Sequence, residues 1–396
     1  MKIAVLGSGF IARFYATALQ AQRRKDFIYT VYSRNSENAK RFAEDYQLAH
    51  FTDDMEAAIS HPQVDVVLIS LPNHLHEIAV SACAKHKKHV LCTKPLGRTA
   101  AEAKRMLQMV ESSGIFGGYL EDLCYTPKFL KSVASIQQGS IGKVLWTKSR
   151  EAHPGPHSDW FWDKEKSGGG CIIDLACHCV EISRNFIGKE IKPLEVMCWA
   201  ATQVHPIEAE DHAIGLVKYA NGAIGQFEVS WTFRGGMDLR DEVMGTEGTI
   251  WINSFLRTGF EMFSTGKAGG YVAEKAEATT GWLFPVGDEA HELGYPNMFT
   301  DMFDAIENKR QPLETFYDGY VVNAILDAAF LSAKTKQWEP ITIDDWRGGE
   351  SIIQEGTGLI SFDEHFYLIK EEVLPNGDIK LILKNKQTGE VVQQNK

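Results

Sequence analysis

The hydrophobic positions of the first 120 residues fall alternately into short apolar runs and longer runs with helical spacing. KIAVLG precedes the helical pattern of FIARFYATALQAQ, and FIYTVYS precedes NSENAKRFAEDY. The strand-like segments DVVLISLP, HVLCTKP and IFGGYLED follow, with helical segments between them. Strands that alternate with helices in this way predict right-handed βαβ units and a parallel sheet.

The pattern changes after about residue 123. One helical segment, TPKFLKSVASIQQG, precedes long strand-like runs, and Asn221-Gly222 predicts a hairpin turn between two of them. We therefore predict three parts: an α/β domain at 1–122, an α+β domain with an open, mostly antiparallel sheet at 123–350, and a C-terminal β-hairpin extension at 351–396. Helices near 297–336 are expected to pack back on the first domain.

Composition narrows the class of protein. The 396 residues carry a formal net charge of −11, which argues against a nucleic acid or an anionic membrane as partner. The chain has seven cysteines and no C-x-x-C pair, which favours free thiols in a reducing compartment. No segment has the length and apolar character of a signal peptide or a membrane span. We predict a cytoplasmic protein.

The first strand and helix are joined by Gly7-Ser8-Gly9-Phe10-Ile11-Ala12, which matches G-x-G-x-x-A. The first glycine permits a tight turn, and the second lets the backbone approach a pyrophosphate at the helix N-terminus. In this strand–turn–helix context the motif predicts a Rossmann domain that binds a dinucleotide, rather than a glycine turn without a ligand.

The end of the second strand, Tyr32-Ser33-Arg34, bears on the choice of cofactor. NAD-binding proteins often place Asp or Glu here for the ribose hydroxyls, and this chain has neither. Ser33 and Arg34 suit a 2′-phosphate instead, so the sequence leans slightly to NADP over NAD. An exposed loop arginine in an NAD protein is the alternative.

Lys94 follows the fifth strand and precedes Pro95. The strand places the lysine at the carboxyl edge of a parallel sheet, where ligands bind in open α/β folds. Proline fixes the next φ and biases Lys94 to an extended conformation. An ammonium held there would hydrogen-bond a substrate hydroxyl and lower the pKa of a nearby acid, although an isolated lysine is more often a surface residue.

A second cluster lies in SGGGCIIDLACHCVEISRNF. Asp174 and His178 are four residues apart, so on a helix they share one face, where a carboxylate and an imidazole suit proton transfer. Cys171, Asp174 and His178 also offer ligand types that zinc accepts, but no second ligand cluster accompanies them. We therefore predict no metal.

The loop EAHPGPHSDWFWD, residues 151–163, combines aromatic rings with polar groups. Aromatic rings cover the C–H faces of a sugar while polar groups bind its hydroxyls, so this composition suits sugar recognition. Aromatic packing of the loop or a subunit interface explains the same composition equally well.

Together these motifs resemble the glucose–fructose oxidoreductase/inositol dehydrogenase (Gfo/Idh/MocA) family of NAD(P)-dependent oxidoreductases. The resemblance rests on GSGFIA, LPNHLHEIAV, CTKPLGRTAAEA, GSIGKV, GGGCIIDLACHCVE, EDHAIGLVKYANGAIGQFEVSW and GTEGTI, in family order across most of residues 1–345. It implies a Rossmann domain followed by the open-sheet domain, assembled as a homodimer or homotetramer.

The resemblance also implies a set of site residues. His178 would be the general acid or base, Lys94 would orient the hydroxyl, and Asp174 would position the substrate or tune His178. The cofactor set comprises Gly7, Gly9, Phe10, Ile11, Ser33, Arg34, Leu71, Pro72, Asn73, His76, Lys94 and Glu121. The substrate set comprises Lys94, Tyr125, His153, His157, Trp160, Trp162, Asp174 and His178.

One position departs from the family pattern. The family usually reads Glu-Lys-Pro, whereas Thr93 precedes Lys94 in this chain. The missing carboxylate normally helps to hold the cofactor, and Glu121, after the sixth strand, is a candidate to replace it.

The predicted function is hydride transfer between a secondary hydroxyl or ketone of a sugar, glycoside or cyclitol and the nicotinamide. An alternative is an NAD-dependent glycosidase that oxidises the sugar at C3 transiently and eliminates the aglycone. A third hypothesis, a catalytically silent NADP sensor, is disfavoured by the intact set of Lys94, Asp174 and His178.

Overall fold

A computed structural model describes residues 1–22, 25–255, 260–265, 272–349 and 360–396. Residues 1–352 form one compact unit, and residues 353–396 form a second. The predicted boundary at residue 350 lies outside the described residues. Within the described ranges, no helix combines the length and apolar character needed to cross a membrane.

Six parallel strands form the first sheet, in the order β3-β2-β1-β4-β5-β6. The strands are β1 (Lys2–Leu6), β2 (Phe27–Tyr32), β3 (His50–Thr52), β4 (Val66–Ile69), β5 (His89–Thr93) and β6 (Gly117–Leu120). The helices that connect them are α1 (Phe10–Gln22), α2 (Ser36–Asp45), α3 (Met55–Ser60), α4 (His76–Lys85) and α5 (Ala100–Ser113). All four residues of β4 are buried, as expected for a strand covered on both faces. The strand order reverses between β1 and β4, which is where doubly wound folds bind dinucleotides.

The second sheet has the order β12-β11-β7-β10-β9-β8-β15. Its strands are β7 (Val144–Ala152), β8 (Pro193–Ala201), β9 (His212–Tyr219), β10 (Ile224–Ser230), β11 (Asp238–Gly245), β12 (Thr249–Asn253) and β15 (Glu339–Pro340). Only the pairing of β7 with β10 is parallel among those described. The predicted fold class, a Rossmann domain followed by a mostly antiparallel sheet, is confirmed.

The remaining helices cover the second sheet and return to the first. They are α6 (Pro127–Gln137), α7 (Lys164–Ser167), α8 (Cys177–Ile187), α9 (Glu289–Glu292), α10 (Tyr295–Asn308) and α11 (Phe316–Thr335). The short strands β13 (Met262–Ser264) and β14 (Gly281–Leu283) pair separately. Helix α8 packs on β7 and β10, α10 packs on α1, and α11 packs on α5 and β8. The helices near 297–336 therefore contact the helices of the first sheet.

The C-terminal unit is larger than the hairpin that the sequence indicates. It contains β16 (Ile360–Ser361), β17 (Phe366–Val373), β18 (Ile379–Asn385) and β19 (Val391–Asn395), paired in that order as an antiparallel sheet. The turns at Gly377 and Gly389 each have positive φ, which glycine adopts without strain.

Candidate active site

The turn between β1 and α1 fits a bound pyrophosphate. Gly7 has φ +110°, and a Cβ there would lie 2.5 Å from the carbonyl oxygen of Ser70, so a larger residue is excluded. A Cβ on Gly9 would meet nothing within 4 Å, so space is open beside the turn. Helix α1 begins at Phe10, and the free N–H groups of its first turn attract an anion. Ile11 is half-buried behind this turn.

At the end of β2, Ser33 and Arg34 lie beside the position that a cofactor's adenosine ribose takes in this fold. The hydroxyl of Ser8 donates to the hydroxyl of Ser33 at 3.0 Å, which ties the glycine-rich turn to this segment. Arg34 is exposed.

The loop after β4 holds the site together through two buried polar side chains. The Asn73 amide donates to the carbonyl oxygen of Ser167 at 2.7 Å. The ring nitrogens of His76 lie 2.9 Å from the Leu71 carbonyl oxygen and 3.1 Å from that of Leu96. Burial lowers the pKa of His76, so the ring is neutral and donates to one of the two carbonyls. Beside Leu71, Pro72 is half-buried.

Lys94, which is half-buried, forms an ion pair with the buried Asp174 at the carboxyl edge of the first sheet. Its Nζ donates to Oδ1 of Asp174 at 3.0 Å and to the Asp174 carbonyl oxygen at 2.7 Å. Oδ2 of Asp174 accepts from Nε1 of Trp231 at 3.0 Å. Burial lowers the pKa of Lys94, but the charge and hydrogen bond of Asp174, together with Cys177 and Glu151, outweigh burial and hold that pKa well above its usual range. Lys94 is therefore a fixed ammonium at neutral pH.

The segment that carries Asp174 is a π-helical turn, Ile172–Ala176, which continues into α8. A π-helical turn contains an extra residue, so side chains four positions apart no longer align as they do on an α-helix. Asp174 faces Lys94, whereas His178 contacts a carboxylate on another element, and the described hydrogen bonds include none between Asp174 and His178. The i, i+4 spacing predicts that Asp174 and His178 share one helical face, but in the structure the two side chains contact different partners.

Glycines position this turn. The backbone N–H groups of Gly170 and Ile172 both donate to Oε1 of Glu210, at 2.9 Å each. A Cβ on Gly170 would lie 1.9 Å from the carbonyl oxygen of Glu210, so only glycine fits. This close approach of two backbone segments explains the third glycine of SGGG.

His178 is paired with Glu121. Nδ1 of the imidazole makes a short hydrogen bond with Oε1 of Glu121, and both residues are buried. Burial and the Lys94 ammonium lower the pKa of His178 to about 3, and burial raises the pKa of Glu121 to about 8. Glu121 therefore contacts the histidine, and nothing in its geometry supports the cofactor role suggested by its sequence position.

The residue before Lys94 makes a contact of its own. Oγ1 of Thr93 and the hydroxyl of Tyr15 are 2.8 Å apart, and both residues are buried. Thr93 thus uses its hydroxyl to link β5 to α1.

The aromatic loop reaches two different neighbours. The exposed ring of His157 lies 4.7 Å, centroid to centroid, from the ring of Phe10 on the glycine-rich turn. The ring of Trp162 packs edge-on against Trp231 at 5.2 Å, directly behind Asp174, while Trp160 stacks on Phe161 at 3.8 Å. The loop therefore contacts both the glycine-rich turn, which is predicted to bind the cofactor, and Trp231, which donates to Asp174.

Two other predicted substrate residues are buried. Nδ1 of His153 accepts from the Gly155 N–H at 3.0 Å, and burial lowers the pKa of His153 to about 3. The Tyr125 hydroxyl donates to Oδ2 of Asp301 at 2.9 Å and accepts from the Glu314 N–H at 3.2 Å. These bonds satisfy the Tyr125 hydroxyl within the core, so its geometry gives no support to a substrate contact.

The structure adds three residues that sequence reasoning missed. Trp231 bonds to Asp174, and Glu151 on β7 is buried with a pKa raised well above its usual range by burial, against the lowering effect of Lys94. Lys275 donates to the Gly155 carbonyl oxygen at 2.9 Å, and its charge acts on His153. Of these three residues, only Glu151 could have been found from the sequence, because it lies in the aromatic loop segment 151–163.

The cysteine nearest the site differs from the one weighed as a zinc ligand. Glu121, Cys177 and His178 have ligand atoms within 4.8 Å of one another. However, the Cys177 thiol donates to the Asp174 carbonyl oxygen at 3.2 Å, and burial raises its pKa well above the usual range. A protonated thiol is a poor metal ligand, so the cluster favours hydrogen bonding.

Comparisons with known proteins match both halves of the first unit. Residues 1–116 match an oxidoreductase family with an NAD-binding Rossmann fold, and residues 129–251 match the GFO/IDH/MocA C-terminal domain. The chain is 26% identical over 389 residues to levoglucosan dehydrogenase of Pseudarthrobacter phenanthrenivorans, covering 85% of this chain and 97% of the relative. It is 27% identical over 264 residues to myo-inositol 2-dehydrogenase of Thermotoga maritima, covering 65% and 77%.

A solved structure has the same fold. GenD2 from gentamicin A biosynthesis, in complex with NAD, superposes with a TM-score of 0.81 and 27% identity, covering 87% of this chain and 97% of that one. The matches confirm the resemblance drawn from the motifs. The relatives are named as dehydrogenases, which supports the predicted oxidoreductase and gives no support to the glycosidase alternative.

Proposed function

Because the chain belongs to the GFO/IDH/MocA family of NAD-dependent oxidoreductases, we propose that it oxidises a secondary hydroxyl of a sugar, glycoside or cyclitol, or reduces the corresponding ketone. The observation that carries this proposal is the ion pair of Lys94 with Asp174 beside the buried His178, at the carboxyl edge of the dinucleotide fold. When bound, the nicotinamide accepts or returns the hydride.

The chain's own residues account for the remaining chemistry. The Lys94 ammonium donates to the substrate oxygen and stabilises the negative charge that develops as its proton leaves. Nε2 of His178, the nitrogen that Glu121 leaves available, takes that proton. The carboxylate of Asp174 keeps Lys94 charged and in place, and Trp231 fixes the Asp174 carboxylate in turn.

An assay that follows two signals together tests this function. The purified protein is incubated with NAD or NADP and a panel of hexoses, anhydrosugars, inositols and aryl glycosides, while reduced-nicotinamide absorbance and aglycone release are recorded. We expect reduced cofactor and a ketone product with at least one sugar or cyclitol. Aglycone release without net reduction would overturn the proposal in favour of the glycosidase.

We infer that Arg34 gives a modest preference for NADP, because β2 ends without an acidic residue and the exposed guanidinium suits a 2′-phosphate. Arg34→Ala should raise the KM for NADP about tenfold and leave the KM for NAD within about twofold, by loss of one charge-assisted contact. Steady-state kinetics with both cofactors measures this, with Arg41→Ala on α2 as the control. Equal changes for the two cofactors would contradict it.

We also infer self-association through the open face of the second sheet. Four large apolar side chains are exposed on its outer strands: Trp199, Ile214, Met244 and Trp251, the last 79% exposed. Large apolar side chains exposed on one sheet favour an interface. Light scattering should give a dimer or tetramer of the 44.3 kDa chain, and Trp251→Glu should shift it towards monomer. An unchanged mass would contradict this role for Trp251.

All seven cysteines are free and buried. Unpaired thiols suit a reducing compartment, and on that basis we infer a cytoplasmic location.

A further inference from the structure

The contact between His178 and Glu121 raises a question that the proposed reaction leaves open. Glu121 follows β6, His178 lies on α8, and Nδ1 of the ring meets Oε1 of the carboxyl group. Glu121 is 0% exposed and His178 is 4% exposed. A buried contact between two rigid elements fixes which ring nitrogen is engaged and leaves Nε2 for the substrate.

A histidine in this position is a weak base when it acts alone. Burial disfavours the imidazolium ion, and the Lys94 ammonium disfavours it further, so that the pKa of His178 falls to about 3. A base with so low a pKa takes a hydroxyl proton poorly at neutral pH. Proton transfer to His178 alone would form an imidazolium ion, a second buried cation beside Lys94, which is unfavourable.

Glu121 has the opposite preference. Its Oε2 is buried without a hydrogen-bond partner in the described part of the chain, so a negative charge on this carboxyl group is poorly solvated. Burial raises the pKa of Glu121 to about 8, the Lys94 ammonium opposes this, and Glu181 adds to it. The charged and titratable groups that interact with the pair are Lys94, Tyr119, Asp122, Cys124, Glu151, Asp174, Cys177, Cys179, Glu181, Lys189 and Glu274.

We propose that Glu121 is a positioning residue that completes a proton relay through His178, an inference that rests on the proposed dehydrogenase function. In the oxidation direction, the substrate O–H bond breaks and its proton joins Nε2 of His178. The Nδ1 proton passes at the same time to Oε1 of Glu121. The substrate C–H bond breaks, its hydride reduces the nicotinamide, and a C=O bond forms.

The relay leaves the ring neutral throughout. The imidazole begins as the Nδ1–H tautomer and ends as the Nε2–H tautomer, and the proton resides on Glu121, where neutralising the carboxylate removes a buried charge. Ketone reduction follows the same path backwards, with Nε2–H as the proton donor. No buried imidazolium forms next to Lys94.

The relay predicts the direction of a pH dependence. Oxidation needs Glu121 ionised, so kcat for oxidation should rise with pH through a value near 8 and level off above it. Reduction needs Glu121 protonated, so its kcat should fall over the same range. Asp122 follows Glu121 in the chain, and burial raises its pKa to about 7. Ionisation of Asp122 instead of Glu121 would give a similar sloping part, or limb, in the plot of kcat against pH.

Glu121→Gln separates these possibilities, because glutamine keeps the shape and a hydrogen bond to Nδ1 but accepts no proton. We expect kcat to fall at least about 100-fold at pH 7 in both directions, with KM within about threefold, and the limb near pH 8 to disappear. Glu121→Asp should restore part of kcat and keep a limb. Asp122→Asn should keep the limb unchanged.

The wild-type assay distinguishes failure of the relay from failure of the function. If the wild-type protein oxidises no sugar or cyclitol, the proposed function fails. If it does, and Glu121→Gln retains the wild-type kcat and limb, or Asp122→Asn removes the limb, the relay alone is overturned.

A measurement on the wild-type protein covers the case in which Glu121→Gln misfolds. With ¹⁵N-labelled histidine, and His178→Asn to assign the signals, the His178 resonances should change from the Nε2–H tautomer at pH 6 to the Nδ1–H tautomer at pH 9. One tautomer throughout this range would overturn the relay.

Discussion

Replacing Lys94 by methionine should lower turnover at least about 1000-fold, because the variant loses the cation that meets the developing oxyanion. Methionine is close to lysine in length, so the change removes the charge with little change in volume. The Asp174 carboxylate then keeps only its bond to Trp231, and its pKa, which Lys94 lowers against the effect of burial, should rise. The measurement is kcat for the best substrate of the panel, in both directions.

Two controls make the result specific to Lys94. Lys85→Met removes an exposed lysine paired with Glu56 at 2.6 Å and should leave turnover within about twofold. Binding of the reduced cofactor, followed by nicotinamide fluorescence, shows whether the Lys94 variant still folds around its ligand. If the variant binds cofactor and retains more than a tenth of wild-type turnover, Lys94 is not the group that stabilises the oxyanion.

The sequence predicts the fold well because its signals are local. Alternating apolar runs and helical segments yield the parallel sheet, and the glycine motif locates its ligand-binding edge. Lys94, Asp174 and His178 were each found from short motifs, and the structure brings Lys94 and Asp174 into contact.

The relations between distant segments could not be predicted in the same way. The partner of His178 comes from Glu121, 57 residues earlier, and the partner of Asp174 comes from Trp231, 57 residues later. The π-helical turn adds a residue that the i, i+4 spacing does not reveal. Tyr125 is near the site in sequence but points into the core, because Asp301 satisfies its hydroxyl.

The same limit applies to a buried ion network that no motif indicates. Nζ of Lys189 lies 3.1 Å from Glu181, 2.9 Å from Glu314 and 3.3 Å from Asp318. Arg184 pairs with Glu181 and Asp318 from the other side. The three carboxyl groups match the ligand types of a metal site, but Lys189 and Arg184 already supply two positive charges beside them. Burial and the neighbouring Glu181 also raise the pKa of Glu314 well above its usual range. The network joins α8 to α11 and is a determinant of stability.

Replacing Lys189 by methionine should therefore cost about 3–5 kcal/mol of unfolding free energy, because it leaves the buried carboxylates of Glu181 and Asp318 against one guanidinium. Burial lowers the pKa of Lys189, but Asp318, Glu314 and Glu181 together outweigh burial and raise that pKa. The stabilising contribution is thus fully present below the unfolded lysine's pKa of about 10.4 and is lost only at higher pH.

Urea unfolding at pH 7.5, followed by tryptophan fluorescence, measures the loss. All nine tryptophans lie at or before residue 346, so the signal reports on the first unit alone. Lys218→Met, which removes an exposed pair with Glu195 at 3.1 Å, should cost about 0–1 kcal/mol. Equal costs for the two lysines would show that the network adds no stability, since solvent would then be screening its charges as it screens those on the surface.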